Sequence, residues 1–168
     1  MAASPPDLRR HLLVRPELCT GCRVCEMICS LKHEAASSPL LSRIRVVKVE
    51  EWNYNYPAVC TACAHAPCVR VCPTGACRPA TSGVGVRVDE EKCIGCRECL
   101  TACPFGAVAI HPQRRKVFIC DMCDGDPPCV ANCLAGAIIW DSPEALTQAR
   151  RLAKALAGRS PASEAGAP

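Results

Sequence analysis

Cysteines recur along this chain in four groups of four, and no other feature limits its folding as much. Two groups are tight, Cys19-x2-Cys22-x2-Cys25-x3-Cys29 and Cys93-x2-Cys96-x2-Cys99-x3-Cys103. Two are loosened in the middle, Cys60-x2-Cys63-x4-Cys68-x3-Cys72 and Cys120-x2-Cys123-x5-Cys129-x3-Cys133. They alternate tight, loose, tight, loose, which is an internal repeat. A spacing of two lets a short loop wrap one metal corner after another. Three residues followed by Pro73 or Pro104 start a helical turn that carries the fourth sulfur elsewhere. In the tight spacing three thiolates hold one iron–sulfur cubane and the fourth serves a second one, so the groups are read in pairs. Structural zinc is the competing use of a C-x2-C pair. Zinc sites, however, join cysteines two by two across a long loop and have no need of a third at x2 and a fourth at x3.

An ordinary apolar core is out of reach, because aromatic residues make up only 4% of the 168. Seventeen cysteines would suggest a disulfide scaffold in a secreted chain. The odd count and the quartet grouping oppose that. So does the N-terminus, where Arg15 and Pro16 end the apolar run Leu12-Leu13-Val14 too soon after Arg9-Arg10 for a signal peptide. A cytoplasmic location is expected, and no stretch approaches the roughly 18 apolar residues of a membrane span. The formal charge of +4 counts every thiol as neutral. Sixteen thiolates around four oxidised cubane cores would turn it to about −4, so the basic balance is no argument for nucleic acid, and no RNA-type aromatic motif accompanies it. No nucleophile with a base, phosphate-binding glycine loop, or flavin or nicotinamide fingerprint is present. The expected role is non-catalytic electron transfer.

Taken in order, residues 1–15 read as an arm, flexible or partner-bound. Gly21 sits where a loop brings backbone close to a metal cluster. Val24 to about Glu34 has helical character, with Met27, Ile28 and Leu31 assigned to the metal side and Ser37-Ser38-Pro39 as the stop. Arg43 to Glu50 alternates as a strand does. Trp52, Tyr54 and Tyr56 then follow, to shield clusters or line an interface. Residues 75–77 and 84–88 make a hairpin around Thr81-Ser82-Gly83; residues 107–110 and 116–119 repeat it. A last strand covers 137–140. Ser142 as N-cap and Pro143 at the first position open a terminal helix over 142–158. Leu146, Ala149, Leu152, Ala153 and Leu156 share one of its faces, Gly158 ends it, and 159–168 read as a disordered tail. Cys77 stands outside the quartets and reads as a buried thiol rather than a ligand. His11, His65 and His111 share no spacing; His33 lies one helical turn beyond Cys29, where it reaches toward a cluster or a partner.

From Leu18 to about Trp140, the four quartets with loose second and fourth members resemble the four-cluster polyferredoxin subunits of the molybdopterin and tungstopterin oxidoreductases. The resemblance implies an α+β fold: two ferredoxin-like units related by a pseudo-twofold, with short hairpins and short helices around four [4Fe-4S] clusters, plus a C-terminal helix. One unit takes 16–59 and 117–141, the other 60–116. By the same resemblance, Cys19, Cys22, Cys25 and Cys133 hold cluster 1, and Cys120, Cys123, Cys129 and Cys29 hold cluster 2. Cys60, Cys63, Cys68 and Cys103 hold cluster 3, and Cys93, Cys96, Cys99 and Cys72 hold cluster 4. Leu134 departs from the pattern by standing where proline is expected. The runs C-S-L-K-H-E (Cys29 to Glu34) and S-R-I-R-V (Ser42 to Val46) look most like the small subunits accompanying tungsten aldehyde oxidoreductases. Subunits of carbon monoxide dehydrogenase, hydrogenase or formate dehydrogenase are the alternatives. What is implied is a wire of anaerobic metabolism between a catalytic subunit and a ferredoxin or a flavin/NAD-linked subunit. Self-association would extend it, and no nucleic acid or membrane span is involved. A zinc-stabilised interaction module is the reading from another class.

Overall fold

The computed structural model describes residues 10–81 and 83–157. β1 (His11–Val14) and a 3-10 turn at Pro16–Leu18 lead into the first quartet. α1 (Val24–Glu34) starts directly from the cysteine loop: Arg23 occupies its N-cap in the left-handed region and no side chain caps it. It stops where Ala35 turns left-handed and its N–H bonds Leu31 O at 3.1 Å. β2 (Arg45–Val49) and β3 (Tyr54–Ala58) follow as a hairpin with Val46 opposite Pro57. The middle of the chain supplies α2 (Pro67–Arg70), β4 (Cys77–Pro79), β5 (Val86–Val88), α3 (Glu98–Ala102), β6 (Val108–Ile110) and β7 (Val117–Ile119). The last stretch gives α4 (Pro128–Ala131), β8 (Ile138–Asp141) and α5 (Pro143–Ala157). α2, α4 and α5 each begin at a proline, whose missing N–H costs nothing at a first position.

The strands among the described residues pair as antiparallel ribbons of two: β1 with β8, β2 with β3, β4 with β5, and β6 with β7. No ribbon can bury two faces. The ribbons and the helix pairs α1–α4 and α2–α3 instead pack around the cysteine loops. The core is correspondingly one of small residues and sulfur. Leu12, Ile44, Met122, Ile138 and Val117 are its largest fully buried apolar members, each contributing about 1.5–3 kcal/mol by leaving water. Buried hydroxyls are internally satisfied: Ser30 Oγ donates to Met27 O at 2.9 Å and accepts from Ser38 N at 3.0 Å, and Ser42 Oγ donates to Ile44 O at 2.8 Å.

The structure adds detail to several of these expectations. Reading 1–15 as an arm misses β1, whose four residues pair in register with β8 from His11↔Asp141 to Val14↔Ile138. The expected unit boundary at 116/117 falls inside the β6–β7 hairpin, in which Val108 faces Ile119. On α1 the buried positions are Cys25, Glu26, Cys29 and Ser30, while Leu31 is 50% exposed. At 3.6 residues per turn, Met27 and Leu31 each lie two positions, or about 200°, beyond an inward-facing cysteine. Turning the sulfurs inward therefore turns those side chains away. Trp52 and Tyr54 are exposed at 77% and 42%, and Tyr56 is half-buried.

α5 begins as expected, with Ser142 Oγ accepting the Ala145 N–H at 3.2 Å. Leu146 is half-buried, and residues 147–155 are exposed. Residues 1–9 of the expected arm, Ser82 of the expected turn, the Leu156 side chain, Gly158 and the tail 159–168 lie outside the described residues. No helix among the described residues is long and apolar enough to cross a membrane.

Candidate metal centres

Each cysteine group consists of a loop that offers its first two sulfurs and a helix that carries its third; the fourth follows the helix, except Cys29, which lies within α1. The loops depend on left-handed backbone: Gly21 at φ +69°, Ala62 at +50°, Gly95 at +70° and Met122 at +60° occupy the same place, just before the second cysteine. Gly21 is needed for close approach, although not to a metal: a Cβ there would lie 2.5 Å from Asn55 Oδ1, and the Asn55 amide donates to Cys19 O at 3.2 Å. β3 thereby fastens the first loop.

Sulfurs from distant groups meet. One small cavity is lined by Cys19, Cys22, Cys25 and Cys133 together with Val24, Val46 and Ile138. A second is lined by Cys60, Cys63, Cys68 and Cys103 with Val86, Val108 and Ile119. Cys29 is an electrostatic neighbour of Cys120, Cys123 and Cys129, and Cys129 of Cys120 and Cys123. In the remaining group, Cys72 and Cys99 are joined through Cys77, whose N–H donates to Cys72 Sγ at 3.4 Å and whose thiol hydrogen-bonds the Cys99 sulfur. That bond brings Cys99 down to about 7. Cys77 is buried in β4, as the sequence suggests, yet it touches two quartet members.

The groups also follow one another. Cys129 feels Cys25, Cys120 feels Cys60, and Cys68 feels Cys99. Only Cys22 and Cys96, in the first and last of these sets, are exposed.

As bare thiols several of these cysteines resist ionisation, although Cys72 and Cys99 shift the other way. Burial, then the adjacent Glu26 carboxylate, pushes Cys25 up to about 12. Burial and the Cys29 sulfur push Cys129 to about 12, and burial comes first in raising Cys60 and Cys123 to about 11. A site that disfavours free thiolates suits a strongly positive core that replaces the protons on binding. The donor set and the cavities both fit an iron–sulfur cluster.

A polar shell not foreseen in the sequence surrounds the sulfurs of the fourth group. Asp121 Oδ1 accepts the Cys123 N–H at 3.1 Å, and its Oδ2 takes Arg43 Nη1 at 2.7 Å. Arg43 N donates to Cys29 Sγ at 3.3 Å. The D-x-C spacing allowed an Asx turn to be read there; Arg43, 78 residues away, left no local signal. Buried Glu26 is similar, accepting the Val46 N–H at 2.9 Å and tying α1 to β2.

Residues 86–108 match the 4Fe-4S binding domain family. The chain is 43% identical over 125 residues to the polyferredoxin-like subunit of the aliphatic sulfonate oxidoreductase of Pyrococcus furiosus, covering 74% of this chain and 72% of that one. It is 33% identical over 157 residues to the electron transport protein HydN of Escherichia coli K12, covering 79% and 87%. Among solved structures, a chain of the active site complex BamBC of benzoyl coenzyme A reductase is similar with a TM-score of 0.47 at 21% identity, over 86% of this chain and 89% of that one.

Proposed function

The chain belongs to the family of polyferredoxin-like 4Fe-4S electron-transport proteins, and we propose that it serves as a four-cluster wire of an oxidoreductase complex. The observation that carries this reading is the succession of four cysteine sets with an exposed sulfur, Cys22 or Cys96, in each terminal set. A bound [4Fe-4S] cluster supplies one-electron capacity at a potential tuned by its surroundings. The protein supplies the ligands, the spacing and the exclusion of water. Cys19, Cys22, Cys25 and Cys133 would hold cluster 1, and Cys29, Cys120, Cys123 and Cys129 cluster 2. Cys60, Cys63, Cys68 and Cys103 would hold cluster 3, and Cys72, Cys93, Cys96 and Cys99 cluster 4. The two shared cavities support this crossed ligation, and the pairings α1–α4 and α2–α3 support two ferredoxin-like halves. Ile44, Val46, Val86 and Ile119 keep water from the inner sulfurs.

The partner we infer is a catalytic subunit of the tungstopterin or molybdopterin class, with a ferredoxin or flavin-linked protein at the other end. The Pyrococcus relative, named as a subunit of an oxidoreductase, supports a catalytic partner. The aldehyde-oxidising tungsten type rests on the runs Cys29 to Glu34 and Ser42 to Val46. The test is metal content after anaerobic preparation. About sixteen iron and sixteen labile sulfide per chain are expected; about eight of each after full reconstitution, or stoichiometric zinc, would overturn the reading.

A further inference from the structure

The last turn of α1 brings an imidazole to the fourth cysteine group. His33 Nε2 lies 3.5 Å from Cys123 Sγ and 3.6 Å from Asp121 Oδ1. The side chains of His33 and Asp121 are both only 12% exposed. Neither neighbour offers Nε2 a proton when Cys123 is a metal ligand and Asp121 a carboxylate fixed by Arg43 at 2.7 Å. One ring nitrogen facing two acceptors must carry the hydrogen itself, whichever state the other nitrogen is in. These three donor atoms fall within 4.8 Å of one another, which is also how a separate metal site would gather them. The carboxylate is already engaged, however, by the guanidinium and the Cys123 N–H. A hydrogen-bond donor is therefore the role left to the ring.

The other described imidazole in a comparable position is committed elsewhere. His111 Nδ1 accepts from Gln113 N at 3.3 Å and Arg114 N at 3.1 Å, and its Nε2 faces Glu34 at 3.4 Å.

We propose that His33 is a positioning residue that donates a hydrogen bond from Nε2 to the Cys123 sulfur and thereby raises the reduction potential of the cluster Cys123 helps to hold. A hydrogen bond to a ligand sulfur draws electron density from it and favours the more negative, reduced state. The position is set by packing of α1 on the fourth group: Lys32 Nζ donates to Asp126 O at 3.3 Å on the same loop. The inference rests on the reading of Cys123 as an iron ligand.

The test is a potentiometric titration of the fully loaded, anaerobic chain followed by electron paramagnetic resonance, on the wild type, His33→Phe and His33→Gln. Phenylalanine keeps the ring and removes the donor, whereas glutamine restores an N–H. One of the four potentials is expected to fall in His33→Phe and to recover in large part in His33→Gln, with the other three unmoved. Four clusters at four unchanged potentials in His33→Phe would overturn the proposal. Should that variant lose iron, the wild type decides. Chain labelled with nitrogen-15 histidine in a His65→Ala background should show an imidazole nitrogen hyperfine coupling to one reduced cluster, and its absence would overturn the proposal equally. Cys123→Ser separates this from the ligand assignment: if it leaves all four spectra unchanged, the ligand assignment fails, and the proposal with it. If it alters one cluster while His33→Phe alters none, only the role of His33 fails.

Discussion

At Gly95 the chain has no room for a side chain: φ is +70° and an added Cβ would stand 2.9 Å from the carbonyl oxygen of Arg115. The obstacle is backbone, which cannot swing aside as a long side chain would. Gly95→Ala should therefore destabilise the third cysteine loop by about 1–3 kcal/mol and speed bleaching of visible absorbance in guanidinium, with iron content at neutral pH initially intact. The need for a glycine was legible at Gly21, which holds the same left-handed place before its second cysteine. The neighbour of Gly95 was not, since Arg115 approaches only once the β6–β7 turn folds over. The sulfurs themselves were the most legible residues, their spacing being local chemistry. The shell around them, Glu26, Arg43 and Asp121, was not, because each acts on a group that another part of the chain delivers.

Elements divide in the same way. α5 was readable from its own letters, as Ser142 caps it, Pro143 starts it, and an apolar stripe of helical period runs along it. β1 was not, because four residues become a strand only when β8 arrives opposite them, 130 residues later at His11↔Asp141. The two elements also carry unequal loads. Leu12 of β1 is 2% exposed, and Arg10 Nη2 donates to Trp140 O at 2.8 Å beside it; α5 is exposed from 147 to 155. Deleting 143–168 should accordingly leave iron content within about 10% of wild type, since helix stability of this kind comes mainly from packing that is missing here. Size-exclusion chromatography beside iron analysis checks this. Loss of a cluster's worth of iron would make α5 part of the core, and loss of assembly with full iron would make it an interface.

On the scale of the molecule, α1 and the β6–β7 turn are held together by more than apolar contact. Glu34, at the end of α1, takes both terminal nitrogens of Arg114 at 2.7 and 2.8 Å and faces His111, both from the β6–β7 turn. The Arg114 hydrogen bonds hold the Glu34 carboxyl below its ordinary 4.5 against a burial that raises it. A depressed carboxylate stabilises the fold above its unfolded value, and the contribution is lost as pH falls through the folded one. Because Arg114 is 39% exposed, Glu34→Gln should cost only about 1 kcal/mol, seen at pH 7 as cluster loss in denaturant about fivefold faster. The gap between variant and wild type should close as pH is taken below 4.5. The repeat of quartets announced the overall plan, while this strap depends on which turn meets which helix end, and so was not foreseeable. The β1–β8 ribbon bears in turn on how the protein matures. α2, α3 and the ribbons β4–β5 and β6–β7 close among residues 67–119. β1 waits for β8 and α1 for α4, so the packing around the first cysteine loop is complete only once residue 141 has been made. The middle loops are thus expected to be enclosed before the first, although the first is made earlier.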